Sequence, residues 1–336
     1  MKTPFLLLTY VILIFFITEL SLTAQVQTSQ PFNFITKLCF RNALTGYAVG
    51  GTNQNGSYVL KTLDGGNSWQ KVTSSCTSYL TDIKFISDNT GYCCSVDGEV
   101  AVTTNGGSEW IKIYQCLNSH SFTIGMFDSF SGFLCGQGAF KRILQGGAGW
   151  YVDPLNTQSY ITASSVLSSS KAAICGINDG AGQQYGLLMY TTNSGINWFG
   201  SSYNADIPDI QFNDISFINE NTGYVAGDKG NFFKTVNGGA LWNVLPAPTT
   251  KTILSVFFIN NSSGYIGGQD LFMRSTDGGA NFNAVNLNST SNNTIINDIY
   301  FSDANLGLAA GNIDFSAVIF RTTNGGVNWK QNTLLF

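Results

Sequence analysis

The sequence predicts an all-β protein, a seven-bladed β-propeller with four-stranded antiparallel blades. One short pattern recurs seven times: a hydroxyl residue, an Asp or Asn, a glycine turn and an aromatic residue. The aromatic residue occupies positions 69, 110, 150, 198, 242, 282 and 329, so successive copies lie 40–48 residues apart. A period of about 40–45 residues with several short strands in each repeat is typical of propellers. Seven copies therefore predict seven blades.

Each copy, which we call a box, is predicted to be a structural hairpin between the last two strands of its blade. An Asp or Asn side chain accepts hydrogen bonds from N–H groups further along a turn. The glycines supply positive φ, and the aromatic residue buries a large apolar surface. The paired residues are Asp64 and Trp69, Asn105 and Trp110, Asn193 and Trp198, Asn237 and Trp242, Asp277 and Phe282, and Asn324 and Trp329. The remaining copy is reduced to Gly146–Trp150, where Ile143 and Gln145 replace the hydroxyl and acidic residues.

The second repeat shows the predicted blade most clearly. Short segments alternate with turn residues, as an antiparallel blade requires. The predicted strands are Leu80–Phe85, Gly91–Ser95, Glu99–Thr104 and Glu109–Tyr114. In the fourth repeat, the segment 178–185 is predicted to lengthen the second hairpin. Residues 26–33 are a candidate extra edge strand that would close the ring, and the sequence does not decide this point.

The N-terminal segment, residues 1–24, has the layout of a cleaved secretory signal. Lys2 is followed by an apolar run over residues 5–17, and the small residue Ala24 ends the segment. Such a run is too short for a comfortable membrane span, although an uncleaved anchor is the alternative. We therefore expect export, with residues 25–336 forming a single domain in the periplasm or outside the cell.

Composition argues against several classes of function. Charged residues make up 11% of the chain and the net charge is −4, so there is no basic footprint for nucleic acid. The seven cysteines cannot all pair with one another. Cys94, Cys135 and Cys175 fall at one repeat position, which indicates a small packing slot. A bridge between Cys76 and Cys116 is not expected, and no Cys-x-x-Cys predicts a metal site.

The repeat resembles that of a known family. Asp-Ile-x-Phe, Gly-Tyr-x-x-Gly and the box, preceded by Lys or Arg, are similar to the repeat of the photosystem II assembly and stability factors. Relatives of that family carry the bacterial neuraminidase, or Asp-box, repeat. The resemblance covers nearly all of residues 25–336 and implies a lumenal or periplasmic seven-bladed propeller. It is specific for the architecture and weak for the function, because unrelated sites are grafted onto propellers.

Basic residues precede the box in most repeats. They are Lys61, Arg142, Lys234, Arg274 and Arg321. Equivalent positions should form a ring, and such a ring could dock an acidic partner, as the family resemblance implies. In the alternative interpretation, each cation stacks on an aromatic residue of a neighbouring strand or caps a neighbouring turn.

Three acidic residues occupy a shared position near the start of an inner strand. Asp82, Asp214 and Asp298 each lie three residues before the Phe that ends the strand. They should gather near the central channel, where carboxylates could hold a cation such as Ca²⁺. The alternative, which we favour, is that each satisfies backbone groups where the chain enters a blade.

The residues needed for catalysis are scarce. A glycosidase requires two carboxylates around the scissile bond, and residues 25–336 contain only Glu99, Glu109 and Glu220 as glutamates. The three lie in outer strands or a surface loop, and only Arg41 lies near an inner strand outside the basic set. The single histidine, His120, makes a Ser-His-Asp triad improbable. We predict no enzyme, no cofactor and no metal.

These observations favour an exported scaffold or assembly factor that works by binding. We expect a protein partner, with a membrane complex as one candidate, and a monomeric chain. The alternative is a carbohydrate-binding or glycoside-hydrolase-like surface protein of the Asp-box type.

Overall fold

A computed structural model describes residues 33–52, 56–116, 120–138, 140–152, 159–180, 183–203, 210–289, 291, 293–332 and 334. The predicted signal segment and most of the candidate edge strand 26–33 lie outside these residues. No helix in the described ranges is long and apolar enough to cross a membrane.

Short β-strands account for nearly all regular structure, which confirms the all-β prediction. The strands of the N-terminal half are β1 Asn33–Phe40, β2 Gly46–Thr52, β3 Gly56–Thr62, β4 Gln70–Ser74, β5 Leu80–Phe85, β6 Gly91–Ser95, β7 Glu99–Thr103, β8 Glu109–Gln115, β9 His120–Met126, β10 Gly132–Gln137, β11 Phe140–Leu144, β12 Gly149–Val152, β13 Ser159–Val166, β14 Ala172–Gly180, β15 Gln183–Thr191 and β16 Phe199–Gly200.

The C-terminal half continues in the same manner. Its strands are β17 Ser202–Tyr203, β18 Phe212–Phe217, β19 Gly223–Gly227, β20 Phe232–Thr235, β21 Leu241–Val244, β22 Ser255–Phe258, β23 Gly264–Gly268, β24 Leu271–Ser275, β25 Asn283–Ala284, β26 Thr294–Phe301, β27 Gly307–Ile313, β28 Ser316–Thr322 and β29 Lys330–Asn332. Two single-turn 3-10 helices cover Gln145–Gly147 and Asp228–Gly230.

Successive strands pair into antiparallel meanders of four. These are β1–β4, β5–β8, β9–β12, β13–β16, β18–β21, β22–β25 and β26–β29. The second repeat has the predicted strands to within one residue at two C-terminal ends. The second hairpin of meander β13–β16 is long, with nine residues in each strand, as predicted for the segment 178–185.

The first strand of each meander is the inner strand of the fold. In chain order each inner strand contacts the next, from β1 through β5, β9, β13, β18 and β22 to β26, and β26 contacts β1. The apolar cores lie between neighbouring meanders: Tyr47 and Val59 of one meander pack with Ile83 and Trp110 of the next. The sheets therefore stack face to face around an axis, which is the β-propeller arrangement.

Five inner strands share a β-bulge at an equivalent position. In each of them, the side chain of the bulged residue donates a hydrogen bond to the next inner strand. Such bulges are local features that re-aim a side chain. The bonds are Thr36 Oγ1 to Leu80 O (2.7 Å), Thr81 Oγ1 to Ser121 O (3.1 Å), Thr162 Oγ1 to Phe212 O (2.6 Å), Asn213 Nδ2 to Ile253 O (3.0 Å) and Asn297 Nδ2 to Ile35 O (2.7 Å). The last of these bonds joins the C-terminal meander to the N-terminal one.

The box hairpins lie at the same end of the meanders as the loops between first and second strands, which we call first loops. In meander β1–β4, Thr62 Oγ1 donates to Asp64 Oδ1 (2.8 Å) and accepts from Gly66 N–H (2.9 Å). Gly65 N–H donates to Leu44 O of the first loop (2.8 Å). The corresponding first-loop bond recurs in every meander, so boxes and first loops form one surface, the box face. The connections to the next meander lie on the opposite face, the connector face.

Candidate functional site

A funnel of about 760 Å³ opens on the box face at the mouth of the central channel. Its walls are the C-terminal ends of the inner strands and parts of two first loops. Partly exposed aromatic side chains line it, among them Phe85, Phe217, Phe257 and Tyr300. Small polar residues such as Ser216 alternate with them. An apolar pocket with a few convergent polar groups is the usual form of a binding site.

The funnel floor is a buried ion-pair cluster that joins three inner strands. Lys37 Nζ of β1 lies 2.9 Å from Asp298 Oδ1 of β26 and 3.5 Å from Asp214 Oδ1 of β18. The side chains of the two aspartates are 4% and 8% exposed, whereas that of Lys37 is 23% exposed. Burial alone would lower the pKa of Lys37, but the two carboxylates raise it above its usual value. Lys37 is therefore an ammonium group built into the channel.

At Asp298, in contrast to Lys37, the effect of burial on the pKa outweighs that of the ion pair. Burial, opposed by Lys37 and assisted by the nearby charge of Asp214, raises the pKa of this carboxyl to about 6. The carboxyl nevertheless has a structural partner, because its Oδ2 accepts Leu38 N–H at 2.7 Å. Asp298 therefore links the last inner strand to the first by two separate contacts.

All three predicted aspartates accept N–H groups of the following meander. Asp214 Oδ2 accepts Val256 N–H at 2.9 Å, and Asp82 Oδ2 accepts Ile124 N–H at 3.1 Å. The other oxygen of Asp82 lies 3.3 Å from Lys84 Nζ. The carboxylates do converge on the channel, but lysines occupy the position where a cation was considered. Within the described residues, no cluster of His, Cys, Asp and Glu could hold a metal ion.

Sequence reasoning missed Lys37. A signal was available, because Lys37 stands at the repeat position that Asp82, Asp214 and Asp298 occupy in other repeats. A lysine aligned with acidic residues of a ring predicts charge pairing across the channel. Beyond this layer, a smaller cavity of about 110 Å³ is lined by bulge side chains, including Thr36 and Asn297.

The predicted basic set lies on the box face, set against rings and box turns. Lys61, Lys234 and Arg274 lie over the rings of Tyr47, Tyr224 and Tyr265, at 5.8, 5.1 and 5.7 Å from the ring centroids. Arg142 lies 4.8 Å from the ring centroid of Tyr151. Lys61 Nζ also donates to Gly106 O of the next box at 2.7 Å. These are contacts of the kind considered in the alternative interpretation, in which each cation stacks on an aromatic residue of a neighbouring strand or caps a neighbouring turn.

Arg321 makes a contact between meanders that a tyrosine makes elsewhere. In four other meanders a second-strand tyrosine donates its hydroxyl to the next box, as Tyr47 does to Gly106 O (2.7 Å). The last meander has Leu308 at that position, and Arg321 Nε donates instead to Gly65 O (2.8 Å). Arg321 therefore contributes to the closure between the last and first meanders.

The residues weighed for catalysis lie apart. Glu99 is fully buried and accepts Thr77 N–H (2.9 Å) and Ser78 N–H (3.0 Å) in the loop between two meanders. Glu109 is exposed on an outer strand, and Glu220 pairs with Lys171 in a first loop at 2.7 Å. Arg41 lies over the ring of Phe85 on the box face, whereas His120 begins β9 near the connector face. None of these five residues is among the described residues that line the funnel.

Comparisons with known proteins agree with the family resemblance. The model of the Photosynthesis system II assembly factor YCF48 family matches residues 201–292 and 240–335. The Photosystem II assembly lipoprotein Ycf48 of Synechococcus sp. (strain CC9902) is 30% identical over 126 residues, 35% of this chain and 36% of the relative. The chloroplastic Photosystem II stability/assembly factor HCF136 of Arabidopsis thaliana is 24% identical over 131 residues, 37% and 32% of the two chains. The alignments thus span about a third of each curated relative, and the predicted resemblance is confirmed.

Solved structures share the fold at low identity. A structure described as YCF48 bound to D1 peptide has a TM-score of 0.67 at 15% identity, covering 88% of this chain and 93% of that one. YCF48 from Cyanidioschyzon merolae has a TM-score of 0.63 at 14% identity, covering 87% and 96%. An ancestral GH74 enzyme has a TM-score of 0.60 at 15% identity, covering 76% and 38%. These likenesses establish a common β-propeller fold and leave the function to the site.

Proposed function

We propose that this chain is an exported, non-catalytic seven-bladed propeller that acts as an assembly factor by binding a protein partner at the funnel on the box face. The observation that carries the proposal is the funnel itself. It is open to the box face, lined with partly exposed aromatic rings, and floored by charges that the chain already pairs. Such a cavity can accept apolar side chains of a partner without any catalytic group.

The blade count and the export rest on separate support. The strands pair into seven meanders, and the inner strand β26 of the last meander contacts the inner strand β1 of the first. Both observations favour seven blades in a closed ring. The layout of residues 1–24 favours export. One relative is described as a lipoprotein and another as chloroplastic, which agrees with action outside the compartment of synthesis.

The partner class follows from the comparisons and from the funnel. A neighbour in fold is described as bound to a D1 peptide, and the curated relatives are described as photosystem II assembly or stability factors. A peptide segment of a membrane complex under assembly is therefore the ligand class we propose for this chain.

The carbohydrate alternative has less support. The GH74 neighbour shares the fold, but a glycosidase needs two carboxylates free to act on the sugar. In the funnel, Asp214 and Asp298 are both engaged by Lys37. Lys37 therefore argues against a hydrolytic site at this position.

The test is a mild crosslinking pull-down of the tagged protein from its native cells, with mass spectrometry of the captured proteins. A blocking variant, Ser216→Arg, places a long side chain in the funnel, and Thr250→Arg is its control on the exposed connector face. We expect the wild type and the control to enrich the same membrane-complex subunits and the blocking variant to lose them. A wild-type bait without any protein partner would refute the proposal and direct the work to a glycan array.

A further inference from the structure

The box face carries the most exposed apolar side chains of the described chain. Six large apolar residues are 59–68% exposed, above all other described residues of this kind. We call them the apolar tips, and they are Leu44, Leu63, Phe130, Ile196, Val236 and Val327. Each lies in a first loop or a box. Exposed apolar groups gathered on one surface mark contact with a protein or a membrane.

The tips occupy equivalent positions in different meanders. Leu63 and Val236 both follow the hydroxyl residue of a box. Ile196 and Val327 both follow the last glycine of a box. Leu44 and Phe130 make a third pair, each the residue two before the glycine that begins a second strand. Repeats arranged around one axis place equivalent residues at one height, so the tips of each pair share a level on the rim.

This distribution favours a flat partner over a narrow one. The tips come from meanders β1–β4, β9–β12, β13–β16, β18–β21 and β26–β29, which lie on different sides of the axis. A single peptide or helix would contact one cluster of them. A planar apolar layer can meet tips on all sides at once, and a bilayer interface has this shape.

Charges on the same face favour a lipid headgroup layer. Lys61, Lys234, Arg274 and Arg321 form no ion pair within the described residues, and all four side chains are partly exposed. Acidic side chains share the face and bond to turn N–H groups. They include Asp64, Asp128, Asp277 and Asp303. Because both signs are present, the face suits a headgroup layer of mixed charge and does not depend on an anionic surface.

Elsewhere in the described chain, the exposed apolar side chains are less exposed than the tips. The next most exposed apolar residue, Ile111 at 56%, lies on outer strand β8, and Phe315 at 53% lies at a hairpin of the connector face. Ile111 has outer-strand equivalents in Tyr151 (50%) and Phe199 (47%), each directly after the aromatic residue of its box, so the outer edge carries a weaker array of its own. The asymmetry between the two faces is the observation that singles out the rim.

We infer that the apolar tips dock the box face onto a lipid bilayer, with tip side chains in the interface and basic side chains at the phosphates. The funnel then faces the membrane, which places it where a segment of a membrane protein emerges. This docking goes beyond the proposed function and does not require a protein partner.

The test is flotation of the exported chain with lipid vesicles in the absence of any partner. Mass spectrometry of the N terminus shows whether residues 1–24 remain, and all variants are compared in the same state. The vesicles are phosphatidylcholine alone and phosphatidylcholine with phosphatidylglycerol. The tip variant carries Leu63→Ser, Phe130→Ser and Val327→Ser, and the control carries Ile111→Ser, Leu241→Ser and Val244→Ser on outer strands.

The wild type and the control should both bind both kinds of vesicle. On each kind, the partition coefficients of the two proteins should agree within about threefold. The tip variant should lose roughly tenfold or more in partition, because each buried aliphatic or aromatic side chain contributes substantially to transfer from water. Absence of wild-type binding to either vesicle would overturn the inference, as would equal losses in tip and control variants. Normal vesicle binding by a tip variant that fails in the pull-down would assign the tips to the protein partner instead. Because flotation uses no partner, failure here leaves the proposed function standing, and failure of the pull-down leaves this inference standing.

Discussion

The channel and the rim of the box face handle charge in opposite ways. In the channel, Lys37 is held between Asp214 and Asp298, and the carboxylates also bond to backbone N–H groups. At the rim, four basic side chains have no ion-pair partner in the described chain, and the apolar tips are exposed. The channel thus pairs its charges within the chain, whereas the rim combines basic side chains without an ion-pair partner and exposed apolar groups, as the proposed docking surface requires.

The carboxylates of the two regions also differ in acidity. Burial raises the pKa of Asp298 to about 6. At the rim, burial by itself would raise the pKa of Asp64, but the hydrogen bonds from Ser68, Thr62 and Asn67 together outweigh it and lower the pKa to about 2. The pKa of the same residue type is therefore raised where burial dominates and lowered where several hydrogen-bond donors dominate.

Removing the ammonium group of Lys37 should have the largest effect on stability. Lys37→Met leaves Asp214 and Asp298 buried without a counter-ion, which should lower the free energy of unfolding by about 3–5 kcal/mol. Denaturant titration followed by circular dichroism measures this change. The matched control, Lys71→Met on exposed strand β4, should stay within about 0.5 kcal/mol of wild type.

The double variant Lys37→Met with Asp298→Asn completes this test. Removing one of the two unpaired carboxylates should recover part of the lost stability. Equal stability of wild type and Lys37→Met would show that the channel charges are not structural, and the contrast with the rim would fail.

The box hairpins between channel and rim should show an intermediate effect. Thr235 is fully buried, donates to Asn237 Oδ1 (2.9 Å) and accepts Gly239 N–H (3.1 Å). Thr235→Val removes these bonds and leaves a buried donor, so stability should fall by about 1–3 kcal/mol in the same titration. In the reduced box, Ile143→Val loses one methylene group and should cost only about 0.5–1.5 kcal/mol. The reverse order of the two losses would contradict the account of the box.

The opposite acidities predict opposite pH dependence. Asp298 has a folded-state pKa near 6, above its ordinary 3.8, so the folded chain takes up this proton first. Relative to Asp298→Asn, the wild type should therefore become more stable as pH falls from 7 towards 4. Asp64 has a lowered pKa, so its contribution is present above pH 3.8 and is lost as pH falls towards 2. Urea titrations of wild type, Asp298→Asn and Asp64→Asn across this range give the signs, and the same sign for both sites would be inconsistent with this scheme.

The smallest expected effect on stability is at the basic set. Lys234 lies over the Tyr224 ring at its partly exposed site, so Lys234→Met should cost about 0.5–1 kcal/mol. Thermal unfolding measures this loss. A loss as large as that of Lys37→Met would mean that the rim cations are as structural as the channel ammonium.

Much of the fold could be predicted because the same sequence pattern recurs in successive repeats. The box residues, the alternation of short strands and the long second hairpin in the fourth repeat all follow from local turn chemistry and period. The bonds that close the ring could not be predicted, because they depend on which residue of one repeat meets which residue of the next. Arg321 takes the role of a missing tyrosine at Gly65 only through this contact.

The site was predicted less well than the fold. Asp82, Asp214 and Asp298 were placed near the channel by their shared repeat position, but Lys37, the partner of Asp214 and Asp298, was overlooked because it breaks the pattern. The aromatic residues of the funnel end inner strands and read as core from sequence alone. Their partial exposure arises only when neighbouring strands fail to cover them, and this depends on the width of the ring.

The most direct test of the claim that the box face is the functional face is site-specific photo-crosslinking in native cells. A photoreactive amino acid is placed at exposed Ser129 on the funnel rim, and in a second protein at exposed Thr250 on the connector face. We expect partner or lipid adducts from position 129 and none above background from position 250. Adducts from position 250 alone, or equal yields from the two positions, would contradict the claim.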